Sequence, residues 1–297
     1  MPYPHILCVV TKNGNKHDYV VKLRERISHP SCWKDILNVK ISDVRTIVNA
    51  SLTAATEPVV DTGTRGTAYT YNDAIIAADT LTIDQYRVIP VLIDEADRHQ
   101  QSYLGQMEIA AYQGKKFTEY VEAQMLAQFA SWTDFGAGDL ANTSADDTTQ
   151  ITVSGSNIDN IIRAIKRKFY QNNGVDFAAE KGIAIVWRAT DFEFLEEFVQ
   201  ANGFTEADIA LKNGIPVEKA FKYLGVYHYL STDHTANHVF ACIRGMGELG
   251  ILRSTFGRVK YIEDPGLVSG LGCVSRLDYG WNFPTYHAKF FADVNVA

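Results

Sequence analysis

Cysteines and long apolar runs are both scarce in this chain. Its 297 residues include 4 cysteines, which lie far apart and form no C-x-x-C pair, so they exclude a disulfide framework and do not fit a zinc finger. No stretch approaches the roughly 18 consecutive apolar residues of a membrane-spanning helix. The N-terminus lacks the basic region and apolar run of a signal peptide. We therefore expect free thiols in a protein that is made in the cytoplasm.

Positive charge is also in deficit. The chain has 28 Lys and Arg against 35 Asp and Glu, a formal net charge of −7, and hydrophobic residues make up 46%. This hydrophobic content excludes intrinsic disorder, and the acid excess argues against a compact protein that reads nucleic-acid sequence. The charge is unevenly distributed: residues 1–46 hold 8 basic and 4 acidic residues, whereas 57–101 hold 3 basic and 8 acidic ones. Two oppositely charged segments favour contacts between subunits.

The sequence also has no motif that establishes catalytic or metal chemistry. Gly245–Gly250 matches G-x-G-x-x-G after a predicted strand. The acidic residue expected about 20 positions further on in a dinucleotide site is missing, and too little chain follows to complete such a domain. Two other polar sets fit commoner structural roles: the pair His234 and His238, and the helix-preceding group Asp94, Glu95 and Asp97. We therefore predict no enzyme activity, no cofactor and no bound metal.

The order of the predicted elements is more informative than any motif. A basic arm contains a hairpin around Asn13-Gly14, which suits a tight type I′ turn. Two β-type runs, 44–50 and 81–93, flank a polar, glycine-punctuated segment and predict a long two-stranded excursion. Such an excursion is marginal alone in water, so we expect it to lie on another surface. Residues 102–131 carry an apolar stripe at spacings of three and four, which predicts one long helix.

Three stretches of sequence carry a resemblance to a known family. Ala68-Tyr69-Thr70-Tyr71, followed by the run from Thr82 to Tyr86, is similar to an extended loop and its return strand. The passage from Val91 to Gln100 resembles the acidic turn before a spine helix. The segment from Val259 to Asp293, with Tyr279-Gly280-Trp281, is similar to strands of a peripheral domain. In this order they resemble the major capsid protein of tailed bacteriophages, which has the Hong Kong 97-type capsid fold.

The resemblance implies an α+β fold with distinct parts. These are an N-terminal arm (1–40), an extended β-hairpin loop (41–93), a peripheral domain (94–154 and 251–297) with spine helix 102–131, and an axial domain (155–250). It implies self-assembly into pentamers and hexamers of an icosahedral virion shell around double-stranded DNA, without sequence-specific DNA binding. Expected partners are a separate scaffolding protein, a portal and a cement protein, with assembly in the host cytoplasm and no membrane.

The resemblance also suggests which side chains contact neighbouring subunits. Aromatic and arginine side chains dominate interface energetics, so we predict contacts by Arg65, Tyr69, Tyr71 and Arg87. Some relatives crosslink a loop lysine to an asparagine of the next subunit. Because no lysine occurs between Lys40 and Lys115, we expect no such crosslink between subunits here.

Three alternative functions remain open at this stage. An encapsulin-like compartment shell would have the same fold but would hold enzymes instead of a genome. A soluble α/β oxidoreductase would use Gly245–Gly250 for its cofactor. A tail or neck structural protein is disfavoured by the long helix and the two-domain plan.

Overall fold

The structure is a computed structural model that describes most of the chain. The described residues are 8–12, 15–19, 31–54, 75–94, 104–128, 132–202, 221–234, 237–255, 259–263 and 270–297. Arg65, Tyr69 and Tyr71, three of the four predicted contact residues, lie outside these ranges.

The described residues form strands and helices in a mixed α/β architecture. The strands of the first half are β1 (Cys8–Lys12), β2 (Asn15–Tyr19), β3 (Asn38–Ser42), β4 (Thr46–Ala54), β5 (Ile75–Thr82), β6 (Gln85–Asp94) and β7 (Thr133–Phe135). Those of the second half are β8 (Ile183–Trp187), β9 (Phe221–Tyr223), β10 (Val226–Leu230), β11 (His238–Ile243), β12 (Glu248–Leu252), β13 (Val259–Glu263), β14 (Gly270–Asn282) and β15 (Phe291–Asn295). The helices are α1 (Trp33–Ile36), α2 (Leu104–Leu126), α3 (Ala137–Ala141), α4 (Ile158–Gln171), α5 (Val175–Lys181) and α6 (Ala189–Asn202), with a 3-10 helix at Thr285–Phe290.

The predicted arm hairpin and the predicted long helix are both present. β1 and β2 pair antiparallel and end on the pair Lys12 and Asn15, as a two-residue connection requires. The helix predicted over 102–131 is α2, with Leu104–Leu126 as its bounds. Val121, Met125 and Leu126 at its C-terminal end are buried.

The two-stranded excursion is present, but one of its predicted strands is wrong. β4 pairs antiparallel with β5, from Thr46 opposite Thr82 to Ala54 opposite Ile75. The apolar run 81–93 therefore divides: Leu81 and Thr82 end β5, and 85–93 belongs to β6, which pairs with β14 instead. The reason is that Leu81 and Ile83 are buried at the base of the excursion, where the chain turns into the next sheet.

A six-stranded sheet forms the α/β part of the molecule, in the order β7-β15-β11-β8-β10-β9. β8 and β10 run parallel, with α6 in the connection between them. All five residues of β8 are buried, as expected of a strand covered on both faces. Packed on this sheet is α4, whose buried residues include Ile158, Ile161, Ile162, Ile165 and Phe169.

Strand pairing does not follow the predicted division into domains 94–154 with 251–297 and 155–250. β15 pairs with β11, and β7 pairs with β15, so both join the sheet of the predicted axial segment. A 3-10 helix, Thr285–Phe290, leads into β15. The physical reason is that four of the five residues of β15 are buried, and β11 offers the strand edge that satisfies their backbone groups.

A second sheet is centred on β14. Along one edge β14 pairs with β6 from Gly270 to Tyr279. Along the other edge it pairs first with β13 and then with β12, and β12 continues the sheet to β3 through a parallel pair. The base of the β4–β5 excursion lies across this sheet where Gly250 and Gly280 are direct partners. A Cβ at position 280 would lie 1.9 Å from the carbonyl O of Thr82.

Two glycine-to-alanine changes should have opposite effects on the free energy of unfolding, because an added Cβ has no space at position 280 and free space at position 114. Gly280→Ala forces backbone apart and should lower the free energy of unfolding by about 1–3 kcal/mol or more. Gly114→Ala, in α2 with nothing within 4 Å of the added Cβ, should raise it by up to ~1 kcal/mol because glycine is a poor helix former. Denaturant unfolding of both variants tests this, and equal stabilities would contradict the seating of the excursion on Gly280.

A buried histidine in the six-stranded sheet predicts acid sensitivity. Trp187 Nε1 donates to His228 Nδ1 at 2.9 Å, and burial lowers the pKa of His228 to about 4. Burial also lowers the pKa of His234 to about 4. An unfolded histidine titrates near pH 6.5, so the unfolded chain binds more protons between pH 6.5 and 4, and stability falls as pH decreases through this window.

We therefore expect His228→Gln to flatten the dependence of unfolding free energy on pH between 6.5 and 4. Each neutral buried histidine accounts for a loss on the order of 3 kcal/mol across the window, and His234 should retain its part in the variant. Urea unfolding at a series of pH values measures the slope. An unchanged slope in the variant would show that His228 does not titrate in this way.

Candidate subunit-contact surface

The inner face of the β14 sheet is covered by α2 through buried polar contacts. Gln113 Nε2 donates to the carbonyl oxygens of Ile89 in β6 and Cys273 in β14, at 2.9 and 3.1 Å. Further along the helix, the hydroxyl of Tyr279 donates to that of Tyr120 at 3.0 Å. These contacts hold α2 in one register on the sheet, because a buried amide without its partners would cost free energy.

Arg87, a predicted subunit-contact residue, takes part in this same group. Its side chain is exposed at the end of β6, its Nε donates to the Tyr120 hydroxyl, and its guanidinium lies 4.8 Å from the centre of the Tyr120 ring. The structure thus gives Arg87 a role within the subunit. Its contact with a neighbouring subunit stays a prediction, as do those of Arg65, Tyr69 and Tyr71.

Half of the outer face of the same sheet is covered by the excursion. Leu81 and Ile83 pack over Gly250, where an added Cβ would lie 3.0 and 3.1 Å from their side chains. At the margin, Asn282 Nδ2 donates to Asp79 Oδ2 at 2.8 Å. The base of the excursion is therefore fixed to the body of the subunit by both apolar and polar contacts.

The other half, which we call the open half, carries exposed apolar side chains among the described residues. Strand register places Tyr86, Val88 and Leu92 of β6 on this face, and they are 61%, 42% and 47% exposed. Arg276, opposite Val88, lies with its guanidinium 4.8 Å from the Tyr86 ring centre and is bonded to Asp278. Among the described residues, β6 pairs only with β14, so this apolar surface lies on an edge strand. Contiguous exposed apolar side chains of this kind mark interaction surfaces.

A buried carboxylate joins the start of the described body to α2. Glu122 accepts hydrogen bonds from the backbone N–H of Cys32 and of Trp33, each at 3.1 Å, and from the Cys32 thiol at 2.9 Å. Burial raises the pKa of Glu122, while these donors oppose the rise. The contacts fix the chain after the N-terminal arm to the long helix. Glu122 has no motif that marks it in the sequence; its only signal is an acidic side chain next to the apolar residues of the helix.

The expected free thiols are present where the structure describes them. Cys32, Cys242 and Cys273 are unpaired and buried, and burial raises the pKa of each thiol. Reactive cysteines have lowered pKa values, so these three fit a structural role in the core.

Gly245–Gly250 does not have the geometry of a dinucleotide site. The segment connects β11 to β12 in a strand–turn–strand arrangement, whereas the fingerprint needs a helix whose N-terminus receives the pyrophosphate. Gly245 forms the turn with a φ of +70°. Gly247 packs against Phe283 and Leu37, and Gly250 lies beneath Leu81 and Ile83 at the base of the excursion. These glycines have packing roles that explain their spacing.

The two histidines of the predicted pair, His234 and His238, have different surroundings. His238 Nδ1 is bonded to the Asp293 carboxylate at 2.8 Å, while His234 is half-buried, with its Nε2 atom inside the protein. Within the ranges that the structure describes, no three His, Cys, Asp or Glu side chains are grouped as metal ligands. No helix in those ranges is both long enough and apolar enough to cross a membrane.

Comparison of sequences and of structures gives contrasting results. No protein-family model and no curated protein matches the sequence. The structure, in contrast, is similar over nearly its whole length to several phage structures. A chain of Mycobacterium phage Che8 is 14% identical, with a TM-score of 0.67 and coverage of 96% of this chain and 98% of that one.

Two further structures show the same similarity. A chain from the capsid of the cyanophage P-SCSP1u is 12% identical, with a TM-score of 0.65 and coverage of 97% of each chain. A chain from the capsid of Ralstonia phage GP4 is 9% identical, with a TM-score of 0.61 and coverage of 98% of each. The resemblance that the sequence suggested is thereby confirmed at the level of structure: this chain has the fold of phage capsid proteins.

Proposed function

We propose that this protein is the major capsid protein of a tailed double-stranded DNA phage. Many copies would assemble as pentamers and hexamers into an icosahedral shell that encloses the genome. The observation that carries the proposal is a structural similarity to chains from phage capsids that covers 97–98% of this chain. The role is structural, and it requires no catalytic site.

The two sheets suggest how the subunit is divided in the shell. We propose that the six-stranded sheet with its helices forms the axial part, around the five- and six-fold axes. The β14 sheet with α2 would form the peripheral part. On this proposal β7 and β15 belong to the axial part, although they lie outside 155–250.

The excursion and the open half of the outer face are the surfaces that we assign to subunit contacts. The excursion is fixed to its own subunit at the base, through Leu81, Ile83 and the polar bond between Asn282 and Asp79. Its tip, with Arg65, Tyr69 and Tyr71, would contact the next subunit. Without crosslinks between subunits, the strength of the shell would come from buried interface area. A scaffolding protein, a portal and a cement protein would be separate partners.

Electron microscopy of the expressed protein, alone and together with lysate of infected host cells, tests this function. Icosahedral shells that contain DNA in the infected-cell sample would support a phage capsid. Shells that contain protein cargo and no DNA would favour the encapsulin-like alternative. Subunits that stay monomeric in both samples would contradict the proposal.

Tyr71→Ala should impair shell assembly and leave the subunit folded. Tyrosine supplies a large contact area at low entropic cost, and aromatic residues are enriched among interface hot spots. Particle yield by sedimentation and the far-UV circular dichroism of the subunit are the two measurements. A normal particle yield would remove Tyr71 from the interface.

Val88→Glu should also reduce particle yield. Its cross-strand partner is Arg276, so the new carboxylate has an opposite charge beside it and the subunit should keep its stability to within roughly 1 kcal/mol. At the same time the change places a charge on the open apolar face. Val175→Glu is the matched control, because Val175 is 52% exposed on α5, away from this face. Equal yields from both variants would show that the open half of the outer face is not a subunit contact.

A further inference from the structure

A shallow groove with a volume of about 480 Å³ lies on the solvent-facing side of α4. The side chains that line it all carry hydrogen-bond donors, and none of them is a carboxylate: Arg163, Lys166, Arg167, Tyr170 and Gln171. Their spacing of three and four residues places them on one face of the helix. The groove is therefore a cationic surface on a chain whose net charge is −7.

Backbone carbonyl groups hold two of these cations in place without neutralising them. Lys166 Nζ donates to the carbonyl oxygen of Leu224, in the turn between β9 and β10, at 2.6 Å. Arg167 Nη2 donates to the carbonyl oxygens of Asp139 and Leu140 in α3, at 2.6 and 3.2 Å. A carbonyl dipole fixes the position of an ammonium or guanidinium group but leaves its full charge. The two cations are thus preorganised for an anion.

The carboxylates of the described residues around the groove leave most of this charge uncompensated. Asp159 contacts Arg163 at 3.3 Å, but the Arg163 side chain is 65% exposed, and a guanidinium has five N–H donors. Asp139 of α3 and Asp146 of the loop after it are both paired with Lys168, which does not line the groove. Three cations of the groove therefore stand against one carboxylate.

We propose that this groove binds the phosphate backbone of double-stranded DNA, through charge and hydrogen bonds and without reading the sequence. The inference rests on the proposed function, in which the shell encloses DNA. Arg, Lys, Tyr and Gln are among the side chains that donate to phosphate oxygens in protein–DNA complexes. Arg163 and Arg167 are about 6 Å apart along the helix axis, a span in which one DNA strand carries about two phosphates.

The composition of the groove favours a phosphate backbone over a second copy of this chain. The centre of an interface between proteins is depleted of charged residues, whereas four of the five lining residues here are charged or amide side chains. A site with three cations binds DNA weakly in each subunit. Repeated over many copies, it would give DNA regular contacts on the shell, while the acid excess of the whole chain keeps the total attraction low.

The salt dependence of DNA binding tests this role. The full-length, unassembled subunit is titrated into two short fluorescent duplexes of unrelated sequence, and anisotropy gives the affinity between about 50 and 200 mM salt. Each cation that contacts a phosphate adds about 0.9 to the steepness of log K against the logarithm of salt concentration. Arg163→Gln and Lys166→Gln should therefore each make the slope less steep by about 0.9, and equally so on both duplexes.

Two control variants separate the groove from net charge. Lys260→Gln, an exposed change on β13, has the same loss of charge and should keep the wild-type slope. Lys166→Arg keeps the charge in the groove and should keep the slope as well. Circular dichroism establishes that each variant folds, and Arg163→Gln changes an exposed side chain, so the packing of α4 is preserved.

Wild-type slopes in both Arg163→Gln and Lys166→Gln would overturn the inference and would assign any DNA binding to another region, such as the basic arm. An equal change of slope in Lys260→Gln would reduce the effect to net charge and would overturn it too. A lower particle yield of Arg163→Gln with an unchanged slope would make the groove a contact between copies of the chain instead. These results would leave the proposed function standing, because shell formation is measured separately by sedimentation.

Discussion

The seating of the excursion on Gly250 and Gly280 is the contact on which the rest of the structure depends. These two glycines face each other in neighbouring strands, and together they leave a shallow site in an otherwise side-chain-covered sheet face. The backbone of Thr82 enters that site so closely that no other residue type fits at position 280. Backbone atoms cannot rotate out of the way as a side chain can. This contact therefore sets the position of the strands on either side of it, β5 before and β6 after.

Several features follow from that position. Leu81 and Ile83 are buried at the seat, and β6 continues along the edge of β14, where α2 covers one of its faces. The polar bonds of Gln113 and Tyr120 then fix the helix to that edge, and Glu122 fixes the chain that enters β3. Lys40 of β3, Asn49 of β4 and Glu248 of β12 are hydrogen-bonded to one another beside the same contact.

The same arrangement divides the outer face of the β14 sheet into a covered half and an open half. The distribution of charge can be considered on these two surfaces. The open half carries apolar side chains beside Arg276, while the excursion segment is acidic. Opposite charges on surfaces that meet between subunits favour association in one orientation. An acidic wall would also not bind DNA strongly. On the proposed function, the net charge of −7 argues against a protein that reads DNA and agrees with one that contains it.

The sequence by itself determined the long helix, the arm hairpin, the existence of an excursion and, through the order of these parts, the capsid fold. Each of these features follows from a local pattern of apolar residues or from a single turn, and a short stretch of sequence is enough to recognise it. Only the tertiary structure decided which strands pair. Residues 81–93 have the same alternation whether they pair with β4 or with β14, and Thr133 of β7 pairs with Ala292 of β15, which is far away in the sequence. The role of Glu122 was likewise decided by the fold, because its hydrogen-bond donors, Cys32 and Trp33, are distant in the sequence and no motif connects them.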